Sequence, residues 1–225
     1  MQPTKKYMRG ENMRVLLLLR GSAGCGKSTW IEQNGLKQYA LSADNIRMMC
    51  SSPQMMPDGT HAISQANDNI VWKTLFNILE TRMKNGEFTV IDATNSKTSE
   101  MNRYKKMCDE YRYRIYCVDM TTVPIEVTKE GNRGRQELKR VPEEVIDKMY
   151  ARFETQKIPS GIKVIQPDEL NAVFMKKFNL LNQIMYCVLV KQEEEVKLHQ
   201  NGWVLTLEMQ ELPIMKAINQ CKQVL

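Results

Sequence analysis

Residues Gly21 to Thr29 read GSAGCGKST and fit the pattern G-x-x-x-x-G-K-[ST], with Gly21, Gly26, Lys27 and Ser28 at the fixed places. The chemistry behind that spacing is anion binding. Glycines let successive backbone N–H groups turn inward around a phosphate. A helix that opens there aims its positive end at the same anion. Lys27 adds a point charge for the outer phosphates, and the Ser28 hydroxyl is a candidate magnesium ligand. Gly21, Ser22, Ala23, Gly24, Cys25, Gly26, Lys27, Ser28 and Thr29 are thus the candidate contacts to a nucleoside triphosphate and its Mg2+.

Three further segments carry groups that can act on such a donor. Leu41 to Arg47 (LSADNIR) follows a short apolar run. An aspartate at that place can take the proton of an attacking hydroxyl, so Asp44 is the candidate base; capping of the helix that follows is the structural alternative, and the two roles are compatible. Arg47, three residues on, shares its helical face and can grip a substrate phosphate. Thr89 to Ser96 (TVIDATNS) is an apolar strand ending in Asp92, a Walker-B type of arrangement in which the carboxylate holds magnesium or its water. Thr94 and Asn95 offer a hydroxyl and an amide to phosphate or ribose, with an Asx or Ser/Thr turn as the structural alternative. Asn132 to Arg140 (NRGRQELKR) reads as an arginine-bearing lid between two helices. Arg133 and Arg135 are placed to neutralise charge on a transferring phosphoryl group, and Arg140 to lie near the base of the nucleotide. A solvated basic helix is the alternative for this segment.

These groups need a scaffold that brings them to one edge. Strand-like runs recur at Val15–Leu19, Tyr39–Ser42, Phe88–Ile91, Arg114–Val118 and Ile162–Ile165, with helical patterns between them. The clearest helical pattern runs from about Ile63 to Lys84, and another from about Ser99 to Tyr111. Two more open with proline at the first helical position, Pro124 and Pro142. Alternation of strands and helices predicts an α/β domain, a parallel sheet of the P-loop NTPase type with helices on both faces. In such a sheet the LSADNIR segment falls at the carboxyl edge, where the nucleotide also lies. Residues 1–12 read as a loose polar tail and 13–166 as the catalytic domain. Residues 167–225 read as a small α+β extension with strands near Gln183–Val190 and Trp203–Leu207 and a closing helix from Ile214. That extension carries no recognisable catalytic motif and is a candidate surface for self-association into a homo-oligomer.

Composition narrows the setting. The chain has 225 residues and a formal net charge of +6. From Lys97 to Arg140 there are 11 Lys and Arg against 7 Asp and Glu. A basic stretch beside a nucleotide site suits a polyanionic second substrate, and a solvated charged face is the alternative. Six cysteines show no close pairing, and the two histidines, His61 and His199, stand far apart, which argues against a zinc site. No apolar run reaches membrane-spanning length. The expectation is a cytoplasmic protein with reduced thiols, in the host cytoplasm if the chain is viral.

Taken together, GSAGCGKSTW, SADNIR, VIDATN and NRGRQELKRVPEEVI followed by MYARFE resemble the 5′-kinase domain of polynucleotide kinases, over about residues 13 to 165. The resemblance implies transfer of the γ-phosphate of ATP to the 5′-OH end of RNA or DNA, as in nucleic-acid repair, with Mg2+. It implies that Asp44 is the general base, that Arg47 contacts the phosphate beside the attacking hydroxyl, and that Lys27 and Ser28 serve the donor phosphates and magnesium. Arg135 matches a lid arginine that clamps those phosphates. Many relatives carry arginine just before the lid asparagine, where this chain has Gly131. Asp92 and Ala93 compete for one place in the third segment. A small-metabolite or nucleotide-sugar kinase of the same fold is the alternative, and a non-catalytic nucleotide-binding module a further one. No guanine-reading N-K-x-D motif is present, which argues against a GTPase-type switch.

Overall fold

The computed structural model describes residues 14–168. The N-terminal tail and the elements expected from Gln183 onward lie outside the described residues. The core is a five-stranded, fully parallel sheet in the order β2-β5-β1-β6-β7, with β1 (Val15–Arg20) in the centre. Its partners are β2 (Ala40–Ser42), β5 (Thr89–Asp92), β6 (Arg114–Asp119) and β7 (Lys163–Ile165). Register is set by apolar rungs. Leu18 pairs with Ile91 on one side and Cys117 on the other, and Leu41 and Val164 extend the same rung outward. Leu16 to Leu19 are all fully buried. A leucine buried to that degree stabilises by about 1.5–3 kcal/mol, which is why the VLLLL run occupies the middle of the sheet.

Successive strand side chains alternate in direction. Leu16 and Leu18 face a cluster built from α3 (Asp68–Lys84) and α4 (Thr98–Tyr111), through Val71, Leu75, Leu79, Met101 and Tyr104. Leu17 and Leu19 are covered on the opposite face. The remaining helices, α1 (Lys27–Gln33), α2 (Ala43–Cys50), α5 (Ile125–Arg133) and α6 (Glu143–Thr155), carry the buried residues Trp30, Ile46, Thr128 and Ile146. The Cys108 and Cys117 thiols are pushed up to about 12, chiefly by burial, so they behave as core side chains.

Three local expectations shift. The long helix begins at Asp68 instead of near Ile63, because Ile63 donates its N–H to Leu138 and Ser64 accepts from the Ala66 N–H. Pro124 and Pro142 are N-caps, not first helical residues. Their ψ angles of 142° and 145° are extended, and each carbonyl accepts the first bond of its helix. A short antiparallel hairpin, β3 (Gln54–Met55) with β4 (His61–Ala62), interrupts the β2–β5 crossover. Its turn is fixed by Asp58, which accepts from both the N–H and hydroxyl of Thr60. The Asp58-Gly59 pair is the sequence signal that marks it.

Two long-range ties hold the sheet's centre. Arg20, at the end of β1, pairs with Asp119 of β6 at 3.3 Å and donates to the Gln156 carbonyl at 2.7 Å. The indole of Trp30 on α1 donates to the Pro167 carbonyl at 2.9 Å, just beyond β7. β1 lies where the strand order turns back, since the chain runs outward to β2 on one side and later to β6 and β7 on the other. That is the crevice in which open α/β sheets bind ligands.

Candidate active site

The glycine loop leaves β1 at this crevice and leads into α1. Its start is fixed by the Gly21 N–H, which donates to the Thr94 carbonyl at 3.2 Å. Lys27 Nζ folds over the loop and donates to the carbonyls of Gly21 (3.0 Å) and Ser22 (2.7 Å). Ser28 Oγ donates to Asp92 Oδ2 at 3.0 Å. A hydroxyl and a carboxylate are the hard oxygen donors that magnesium takes together with substrate phosphates and water, so this pair fits the ion implied by the loop. Ala23, Gly24, Gly26, Lys27, Ser28 and Thr29 line a cleft of about 1150 Å³. Gly21, Ser22 and Cys25 are not among its lining residues. Ser22 is buried, with its hydroxyl against Met149 Sδ at 3.4 Å.

Across the cleft, β2 hands the chain to α2. Ser42 is the N-cap, its hydroxyl accepting from the Asn45 N–H. The capping role considered for Asp44 therefore falls to Ser42, and Asp44 sits in the first helical turn. Asp44 Oδ1 accepts from Arg47 Nη1 at 2.9 Å, and its Oδ2 stands 3.8 Å from Arg135 Nη2. Arg47 is held on its other edge by Asp68, with Nε to Oδ1 at 2.8 Å and Nη2 to Oδ2 at 3.1 Å. Burial lowers the Arg47 pKa, and the two carboxylates outweigh it, so the net shift is upward. A guanidinium has five N–H donors. Three are taken by these contacts among the described residues, leaving one N–H on each terminal nitrogen. Charged donors of this kind suit a phosphate.

The lid is a short loop with a rigid base. The buried amide of Asn132 both donates to the Val141 carbonyl (2.8 Å) and accepts from the Val141 N–H (3.1 Å), so the chain returns beside its starting point. Arg135 points into the cleft, and its carbonyl accepts from Arg140 Nε at 2.8 Å. Arg140 lines the cleft as well. Arg133 does not. It binds Glu143 Oε1 at 2.7 Å on the exposed side of α6. Thr94 lines the cleft, whereas Asn95 is buried and donates to the Leu19 carbonyl at 2.6 Å, stitching the β5–α4 loop to β1. The charges between Lys97 and Arg140 likewise divide. Lys129 pairs with Glu143 and Asp147, Arg103 stacks on Phe76 at 4.0 Å, and Lys105 donates to the Ser160 carbonyl. The cations that line the cleft are Lys27, Lys37, Arg47, Arg135, Lys139 and Arg140, against Glu32, Asp44 and Asp92.

A family model described as an AAA domain matches residues 16–156. The chain belongs to this AAA-domain family. Among solved structures, it is similar to a chain of the Pnkp1/Rnl/Hen1 complex, at 22% identity over 57% of this chain and 42% of that one, with a TM-score of 0.44. It is also similar to a gluconokinase from Sinorhizobium meliloti 1021, at 13% identity over 78% and 98% of the two chains, TM-score 0.43. A third is the Deinococcus radiodurans tunicamycin resistance protein, at 10% identity over 77% and 95%, TM-score 0.44. The chain thus spans less than half the length of the first of these. With its phosphate loop in place at the end of β1, this AAA domain has the α/β fold of a P-loop nucleotide-binding domain. No helix among the described residues is long and apolar enough to cross a membrane.

The roles of two positions of the AAA domain escape the sequence reading. The first is Asp68, at the start of α3, which fixes Arg47 from 21 residues away. Replacing Asp68 with alanine is expected to raise the acceptor KM about ten- to hundredfold, the worth of a hydrogen bond to a charged group. The ATP KM is expected to stay unchanged, and steady-state kinetics in each substrate check both. The second is Gly131. A Cβ there would fall inside the carbonyl of Gly24, and a Cβ on Gly24 would meet the Thr128 carbonyl and Asn132 N–H below 3.0 Å. The phosphate loop and the lid helix α5 therefore touch backbone to backbone. No arginine fits at 131 in this arrangement, and Gly131 is a packing position. Gly131→Val is expected to cost about 1–3 kcal/mol, lowering Tm by about 2–4 °C per kcal/mol. Gly134→Ala is its control, because a Cβ at Gly134 has ordinary contact distances. Equal melts for the two variants would contradict the contact.

Proposed function

We propose that this protein is an ATP-dependent 5′-hydroxyl polynucleotide kinase. The observation that carries the reading is the position of Asp44. One of its oxygens accepts from Arg47 on the acceptor side, and the other faces Arg135 of the lid, within the cleft that the phosphate loop bounds. An acceptor hydroxyl beside Asp44 attacks the γ-phosphorus of ATP. Its proton passes to the Asp44 carboxylate, the bond from γ-phosphorus to the bridging oxygen breaks, and ADP leaves. Arg47 holds the phosphate next to that hydroxyl with its two remaining N–H groups. Lys27 exchanges its loop carbonyls for the outer phosphates, and Arg135 meets the charge on the transferring group. Ser28 and Asp92 would hold the magnesium ion, which supplies positive charge against the donor phosphates when bound. Most of the acceleration then comes from positioning and electrostatic stabilisation.

The excess of cations along the cleft supports a polyanionic acceptor of RNA or DNA. One observation favours a small acceptor instead. The hairpin and the lid are joined across the cleft, with the His61 N–H on Glu137 Oε1 at 2.7 Å and the Ile63 N–H on the Leu138 carbonyl. A strand must enter beneath that roof. Transfer of labelled γ-phosphate from ATP to a 5′-OH oligonucleotide, compared with mononucleosides, sugars and nucleotide sugars, decides between them. Labelling of sugars or nucleotide sugars with no labelling of the oligonucleotide would overturn the polynucleotide reading.

A further inference from the structure

The wall of the cleft beyond Arg47 is unlike the donor half. It is built from Trp72 of α3, Met56 of the hairpin, and Ala62 and Ile63 where the hairpin leads on toward α3, with the amides of Gln54 and Gln65 among them. Trp72 is half-buried. Part of its ring packs on the core cluster, and part faces the cleft. The Arg47 guanidinium lies over the same ring, 5.9 Å from its centroid. Asp44, Arg47 and Trp72 therefore follow one another along a single wall, as hydroxyl, phosphate and a flat apolar surface. A sugar acceptor presents many hydroxyls and requires more polar partners than the two carboxamides of this wall supply. A nucleobase presents an apolar face and a few amide-like edge groups, and this wall offers an aromatic ring, aliphatic carbons and two carboxamides.

We propose that Trp72 is the platform on which the first nucleobase of the acceptor stacks, one ribose away from the hydroxyl at Asp44. This rests on the polynucleotide kinase reading and specifies its acceptor. Stacking tolerates any base, so the platform senses the presence of a base and not its identity. The basic residues Arg47 and Lys139 of the same cleft complement the acceptor's phosphates.

The test uses the full chain and two 5′-OH oligonucleotides that differ only in the first nucleotide, one with its base and one abasic. Wild type is expected to favour the base-bearing end by about ten- to hundredfold in kcat/KM, the worth of one base on one aromatic side chain. Trp72→Leu, which keeps apolar volume for the core, is expected to lose that preference through the acceptor KM, with the abasic end and the ATP KM unaffected. Trp72→Phe is expected to restore most of it. Equal use of the two ends by wild type overturns the platform and leaves the kinase reading intact, and this outcome needs no variant to fold. Equal loss on both ends in Trp72→Leu likewise overturns it. Labelling of neither end, with a sugar labelled in parallel, overturns the polynucleotide reading and the platform with it.

Discussion

Replacing Asp44 with asparagine is expected to lower kcat for phosphotransfer by about 10²–10⁴-fold, the size of a positioned general base. Asparagine keeps the shape and can still face Arg47 and Arg135, but its amide cannot take the proton of the attacking hydroxyl. The loss should therefore fall on kcat, with the ATP KM close to wild type, because the contacts of Asp44 among the described residues go to Arg47 and Arg135 and not to the phosphate loop. Asp44→Ala adds a second effect. It removes one of the two carboxylates that steady Arg47, so its acceptor KM should rise as well. Full phosphotransfer activity in Asp44→Asn would sink the proposed mechanism even if the protein proved to be a kinase. Single-turnover labelling separates a slowed chemical step from slowed release.

Arg135 and Arg133 stand two residues apart, and their expected effects differ by orders of magnitude. Arg135→Ala is expected to cost about 10²–10³ in kcat, the scale for removing one preorganised group from developing charge. Arg133→Ala is expected to stay within about a factor of two or three. Its side chain is 64% exposed and bound to Glu143, and exposed pairs of that kind contribute about 0–1 kcal/mol. Measuring both variants under one set of conditions makes the contrast its own control. Comparable losses would mean that the lid rearranges so that Arg133 turns inward during the reaction, and the assignment of the clamp to Arg135 would fail.

The fold was legible in the sequence wherever a segment carried its own instructions. VLLLL needed no partner to read as a central strand, and GSAGCGKST needed none to read as a phosphate loop. The same holds for TVID, whose terminal carboxylate meets Ser28. What the sequence withheld were contacts between distant segments. Asp68 looks like any acidic residue in a first helical turn until α3 is laid beside α2. Asn95 reads as a polar group for phosphate or ribose, and only the packing of β5 against β1 reveals that its amide is committed to Leu19. The basic count from Lys97 to Arg140 was sound as arithmetic, but a count has no direction. The helices turn Lys129 and Arg133 toward α6 and leave the lid to face the cleft. Gly131 looked like a missing arginine because its reason for being small, the Gly24 carbonyl, lies more than a hundred residues earlier.

The hydrogen bond from Trp30 to Pro167 has a consequence for anyone who would excise this domain. By sequence pattern a cut after residue 166 looks natural, since the last strand ends at Ile165. Such a cut would strip the acceptor from an indole N–H in the helix that carries the phosphate-binding lysine. A buried donor left unmet costs about 1–3 kcal/mol, and here the cost would be charged to the donor site. The smallest piece that keeps this hydrogen bond therefore ends no earlier than Pro167, although strand and helix boundaries alone place the limit sooner.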